Sequence, residues 1–104
     1  MARLSPKIRE QQILQAALEF AKREGWACLT RDAVAAEAEC SEGLVSYYFG
    51  DFDNVRKEVM RYAVQNATLT IVAEGLLAGN RIAQRAPVPV KEGAAAWNLY
   101  QSQN

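Results

Sequence analysis

Apolar residues recur at helical spacing through most of the chain, and short groups of cap-forming residues interrupt them. Ile13, Leu14, Ala17, Leu18, Phe20 and Ala21 make one apolar helix face, opened by Ser5 as N-cap and Pro6 in the first turn. Glu10, Lys22 and Arg23 fall largely off that face. From Thr30 to Phe49 the pattern predicts two short helices joined by a tight turn. Thr30 caps the first, with Asp32 in its first turn where a carboxylate suits the helix dipole; Ser41 caps the second, and Gly50 ends it. Val34, Ala35 and Ala38 form the inward stripe of one, Val45 and Phe49 of the other. Both are too short to be stable alone, so other elements must pack beneath them. Helix, turn, helix is the arrangement that sets a second helix into the DNA major groove.

A longer helical pattern follows from Asp51 or Phe52 through Val55, Val59, Met60, Ala63, Ala67, Ile71 and Val72. It predicts one helix, or two broken near residues 65–70, where β-branched residues and Asn66 lower propensity. NRIAQRA continues a helix or makes its own turn. PVPV at 87–90 predicts an extended, non-helical loop, and KEGAAAWNLYQSQN a short terminal helix carrying Trp97 and Tyr100. The expected fold is all-α: a three-helix reading head at 1–50, then a helical extension at 51–104 with a loop at 87–90.

Composition narrows the function classes. Half of the 104 residues are apolar, with no long apolar run, so no membrane span is expected. The segment MARLSPKIREQQ lacks the apolar core of a signal peptide, which places the expected location in the cytoplasm. Cys28 and Cys40 are the two cysteines and histidine is absent, so no mixed metal site, metal or other cofactor is expected, and both thiols read as buried and reduced. Without histidine the commonest acid–base residue is missing, and the acids at 37, 39 and 42 read as solvated helix surface, so the chain is not expected to be an enzyme. Net charge is zero, but it is unevenly spread. Residues 1–31 hold six basic and three acidic side chains, residues 32–60 two and seven, and residues 61–104 four and two. Non-specific DNA affinity scales with phosphates neutralised. It should therefore be weak and concentrated on the N-terminal arm and first helix.

The run from Ile13 to Met60 resembles the DNA-binding domain of the tetracycline-repressor (TetR) family of bacterial regulators. ILQAALEFAKREGW is similar to the family's first helix, TRDAVAAEA to its second, and SEGLVSYYFGDFDNVRKEVM to its recognition helix, the Tyr-Tyr-Phe-Gly exit and the start of a fourth helix. The chain departs from the pattern in three places. Glu39 stands where the inter-helix turn usually has glycine, Glu42 where the residue after the opening serine is often basic or small, and Phe52 where a phosphate-touching lysine is common. The family usually carries a much larger helical domain that binds a small molecule and makes the dimer. Only about forty residues follow Met60 here, too few to enclose a typical pocket of ~300 Å³ as well as a dimer face. The expectation is a reduced repressor with no small-molecule inducer site.

The resemblance implies a repressor acting as a homodimer on a palindromic double-stranded operator. Its recognition helix presents Ser41, Glu42, Gly43, Leu44, Ser46, Tyr47 and Tyr48 as candidate contacts. Gly43 permits close backbone approach, Leu44 suits a thymine methyl, and Glu42 a cytosine amino group; the tyrosines alternatively belong partly to the core. Arg3, Lys7 and Arg9 are candidates for a phosphate-clamping arm or a solvated charge run. Thr30 and Arg31 stand where the resemblance implies phosphate contacts. Val59, Ala63, Ile71, Val72, Leu76 and Leu77 form an apolar stripe that either packs against the tail or makes a two-fold interface with Trp97 and Tyr100; the interface is the preferred reading. The rival function is a protein-interaction module, an antirepressor or DNA mimic, that uses the acidic face around the recognition helix.

Overall fold

The computed structural model describes residues 5–103, and among them the chain is helical with no strand. The helices are α1 (Pro6–Glu24), α2 (Arg31–Glu37), α3 (Glu42–Phe49), α4 (Asp53–Gln65), α5 (Leu69–Leu77), α6 (Arg81–Gln84) and α7 (Val88–Ser102), with a single 3-10 turn at Trp26–Cys28. The expected starts of α1, α2 and α3 hold. Ser5 accepts the Ile8 N–H at 3.2 Å, Thr30 the Ala33 N–H at 3.3 Å and Ser41 the Leu44 N–H at 3.1 Å. Each bond satisfies a first-turn donor that the helix itself leaves without an acceptor.

Three helices end in the same hydrogen-bonded reversal. After α2 the Cys40 N–H reaches the Ala35 carbonyl at 2.9 Å, after α4 Thr68 reaches Ala63 at 2.8 Å, and after α5 Asn80 reaches Gly75 at 2.8 Å. Each needs a left-handed residue just before the donor. Glycine fills that place only once, at Gly79; Glu39 (φ +55°) and Ala67 (φ +52°) fill the others. The break between α4 and α5 thus falls inside the expected window. Asn80 then caps α6 through its side-chain oxygen, which accepts from Ile82 and Ala83, so NRIAQRA forms its own short helix.

PVPV at 87–90 is not the loop the sequence predicted. Only Pro87 is extended (ψ 148°), and α7 begins at Val88 with Pro89 in its first turn. A proline there loses no intrahelical bond, because first-turn N–H groups have no acceptor in the helix. Cys28 is a second correction: the 3-10 turn leaves it exposed, while Cys40 is half-buried against the core.

One core runs through both expected segments. Ile13 and Leu18 of α1, Leu29, Val34, Val45, Val55, Val59, Met60, Ile71 and Val72 are all almost fully buried, and the cluster extends to Ala94 of α7. This corrects the proposed interface. Val59 and Ala63 of α4 and Ile71 and Val72 of α5 are 0% exposed within the single chain, because α1, α5 and α6 pack on α4, and α4 and α7 pack on α5. Leu76 is half-buried, and only Leu77, Trp97 and Tyr100 of the expected set stand exposed. The α4–α5–α6 crossing is close at Gly75, where a Cβ would stand 2.5 Å from the Met60 methyl and 2.7 Å from the Ala83 Cβ.

Polar bonds tie the head to the extension. Glu74 of α5 accepts the Trp26 backbone N–H at 2.5 Å, the Trp26 indole N–H donates to the Arg56 carbonyl at 3.1 Å, and Arg56 Nη2 donates to the Leu29 carbonyl at 2.8 Å. Asn98 of α7 donates to the Ala73 carbonyl at 3.1 Å. Within the head, Arg23 at the end of α1 grips Glu37 at the end of α2 with two bonds, 2.7 and 3.3 Å. That bond holds the Glu37 carboxyl below its ordinary value of 4.5. A depressed folded-state value means the pair's contribution is complete above about pH 4.5 and is lost as pH falls through the folded value. The pair is solvent-exposed, so the effect is small. Glu37→Gln should therefore flatten the acid side of the stability profile. Urea midpoints followed downward from neutral pH check this, and a wild-type acid limb no steeper than that of the variant would contradict it.

Candidate nucleic-acid interface

The head presents α3 outward on a fixed base. Val45 and Phe49, four apart, are buried in the core, and Leu44 and Tyr48 are half-buried against it. At 3.6 residues per turn this leaves Glu42, Gly43, Ser46 and Tyr47 as one contiguous outward arc. Tyr47 is 79% exposed, and its ring meets that of Tyr48 edge-on at 5.1 Å. The two tyrosines therefore divide: Tyr48 is partly core, as one of the alternatives held, and Tyr47 projects. Leu44 is likewise turned toward the core, which reduces what it offers a thymine methyl.

The N-terminal helix flanks this arc. Lys7, Glu10 and Gln11 of α1 line an open groove of about 850 Å³ with Tyr47 and Tyr48, so Lys7 is brought beside the reading helix. Gln11 was not among the sequence candidates, although it lies four residues beyond Lys7 and helical spacing places it on the same stripe. Arg9 is half-buried and does not line the groove. Arg3 lies outside the described residues. Arg31 is exposed at the first position of α2. Thr30 caps α2, and its side chain beside Asp32 holds that carboxyl below the usual carboxylate range. Ser41 uses an oxygen lone pair as cap and keeps its O–H proton for another partner.

Charge on this surface is thinner than the sequence count implies. Glu37 is neutralised by Arg23 and Asp53 lies 3.5 Å from Arg56, whereas Glu39 and Glu42 join no ion pair among the described residues. Away from the head, Leu69, Gly93, Ala96, Trp97 and Tyr100 line an apolar groove. A second cleft of about 360 Å³ lies between α5, α7 and the end of α1, beside Glu74, Asn98 and Trp97. Both open to solvent. Among the described residues no group of three or more Cys, Asp or Glu could hold a metal ion, and no helix is long and apolar enough to cross a membrane.

Known proteins are similar to the N-terminal part in sequence. Over 60 residues, 58% of this chain, it is 37% identical to the HTH-type transcriptional regulator BetI of Paraburkholderia phytofirmans and to that of Paraburkholderia xenovorans, and 35% identical to that of Burkholderia thailandensis. This likeness is consistent with a TetR-like helix-turn-helix domain in the N-terminal part. In it α2 is the supporting helix and α3 stands in the place of the recognition helix. The match covers 31% of the length of each of these relatives. No family model matches the chain, and no solved structure does.

Proposed function

We propose that this chain reads operator DNA as a transcriptional repressor, binding as a homodimer to a palindromic site and blocking transcription by occupying promoter DNA. The observation that carries the reading is α3 itself: a capped helix, anchored by Val45 and Phe49, that turns Glu42, Gly43, Ser46 and Tyr47 outward together. Helix-turn-helix proteins place the N-terminal residues of such a helix against base edges. Lys7 beside Tyr47, and Arg31 at the start of α2, supply cations for the flanking phosphates. The homodimer is supported by Leu77 and Trp97, apolar side chains left 76% and 38% exposed after the core is complete, and by the specificity that two half-sites add. Control in this reading comes through protein concentration in the cytoplasm, because the clefts beside α5 and α7 are open grooves that do not enclose a small molecule.

The test is selection of bound duplexes from a random pool by the purified chain at about 0.15 M salt, where screening is physiological. Recovery of a palindrome supports the reading. Recovery of nothing by folded protein would move the function to protein docking through the acidic face, a rival already weakened by the Arg23–Glu37 pair.

Glu39 provides a second check. It occupies a left-handed position at a cost of about 1–2 kcal/mol and places an unpaired carboxylate next to the reading helix. Glu39→Gly should raise stability by up to about 1 kcal/mol and strengthen non-specific DNA binding roughly twofold to threefold, the scale of one screened charge. Thermal melts and binding to random duplex measure both. A less stable variant with unchanged affinity would contradict the account of this turn.

A further inference from the structure

Glu42 is the least expected residue on a surface meant for DNA, and its surroundings restrict what it does. It is the first residue of α3, fully on the outward arc, and no cation among the described residues pairs with it, unlike Glu37, Glu58 and Asp53. The first-turn N–H of Leu44 is already held by Ser41 at 3.1 Å, so the cap does not call on Glu42. Its neighbour Gly43 leaves open space: a Cβ there would meet only the Ser41 hydroxyl oxygen, at 3.8 Å. A backbone that bare lets the start of α3 sink toward the groove floor, which carries the Glu42 carboxylate past the phosphates to the base edges.

A carboxylate only accepts hydrogen bonds. Phosphates repel it, and on the major-groove edges of the bases the donors are the amino groups of cytosine and adenine. Adenine couples its amino group to the N7 acceptor, which a carboxylate cannot satisfy. Cytosine offers its N4 amino group alone. We propose that Glu42 is the specificity-determining residue of the head and selects a cytosine in each half-site by accepting from its N4 amino group. The inference rests on the DNA-binding reading above and assigns it a base.

The test compares three chains, wild type, Glu42→Gln and Glu42→Ala, in the random-duplex selection, with thermal melts to confirm that each is folded. Wild type should demand cytosine at one position per half-site, with discrimination of roughly tenfold to a hundredfold. Glutamine, the same shape with a donor and an acceptor, should move that position to adenine, while alanine should erase the preference there and leave the other positions intact. If all three chains select the same bases at every position, Glu42 serves only the helix dipole and the assignment falls, with DNA binding intact. Uniformly tighter binding by both variants without a change of preference overturns it equally. If folded wild type selects no sequence, both the assignment and the reading beneath it fall.

Discussion

Replacing Ile71 by alanine should cost this chain about 2–5 kcal/mol, the usual range for emptying a fully buried aliphatic site. Ile71 is 0% exposed on α5, enclosed by the helices that pack on it. Domains of this size are stabilised by roughly 5–15 kcal/mol in total, so the loss is a large part of the whole. At about 4–8 °C per kcal/mol, the melting midpoint should fall by at least about 8 °C. Leu77, six residues further along α5, is 76% exposed, and Leu77→Ala should stay within about 0.5 kcal/mol in the monomer. The head should melt with α5 in the Ile71 variant. Val45 and Phe49, which hold α3, belong to the same core cluster, and the Glu74–Trp26 bond joins α5 to the turn before α2. Far-ultraviolet dichroism and DNA binding should therefore be lost over one transition. A mild Ile71→Ala effect beside a severe Leu77→Ala effect would mean the stripe faces a partner rather than the core.

That contrast shows where the sequence could be read and where it could not. Caps are local chemistry, a hydroxyl three residues from an orphan N–H, and Ser5, Thr30 and Ser41 all lie where their spacing placed them. Periodicity identifies an apolar face but not the surface that covers it. The stripe of Val59, Ala63, Ile71 and Val72 reads the same in sequence whether a partner or the chain itself covers it; here α1, α5 and α6 pack on the α4 residues, and α4 and α7 on the α5 residues. The extended loop expected at PVPV is likewise overridden: α7 starts inside that motif and packs along α5. The turn at Glu39 and the break at Ala67 were less legible, because the left-handed residue that closes each helix is not glycine. On α3, four-residue spacing separated the core anchors from the outward residues, but adjacent tyrosines carry no such signal, and only packing separates Tyr48 from Tyr47.

The largest effect on function should come from the smallest residue on the reading face. Gly43 is exposed in the first turn of α3, and a side chain added there would meet nothing closer than the Ser41 hydroxyl oxygen at 3.8 Å. Its backbone is helical, a conformation open to every L-residue. Gly43→Ala should therefore raise stability by about 0.5–1 kcal/mol, the ordinary gain from removing glycine from a helix. Gly43→Phe should fold as well as wild type, since its ring projects into solvent. Against DNA the two diverge. A methyl group narrows the approach of α3 slightly, whereas a phenyl ring holds the helix away from the groove floor by several ångströms, beyond the roughly 3 Å reach of a hydrogen bond. The outward contacts of Glu42, Ser46 and Tyr47 would be lost together, each worth about 1–3 kcal/mol of discrimination if it reads a base. Specific affinity of Gly43→Phe should accordingly fall more than a hundredfold toward the non-specific level, with the melting midpoint unchanged or raised. Affinity for the selected operator, measured beside a thermal melt of the same sample, separates the effects. A Gly43→Phe chain that still binds its operator with wild-type affinity would show that α3 does not enter the groove, and would remove this helix from the reading surface altogether.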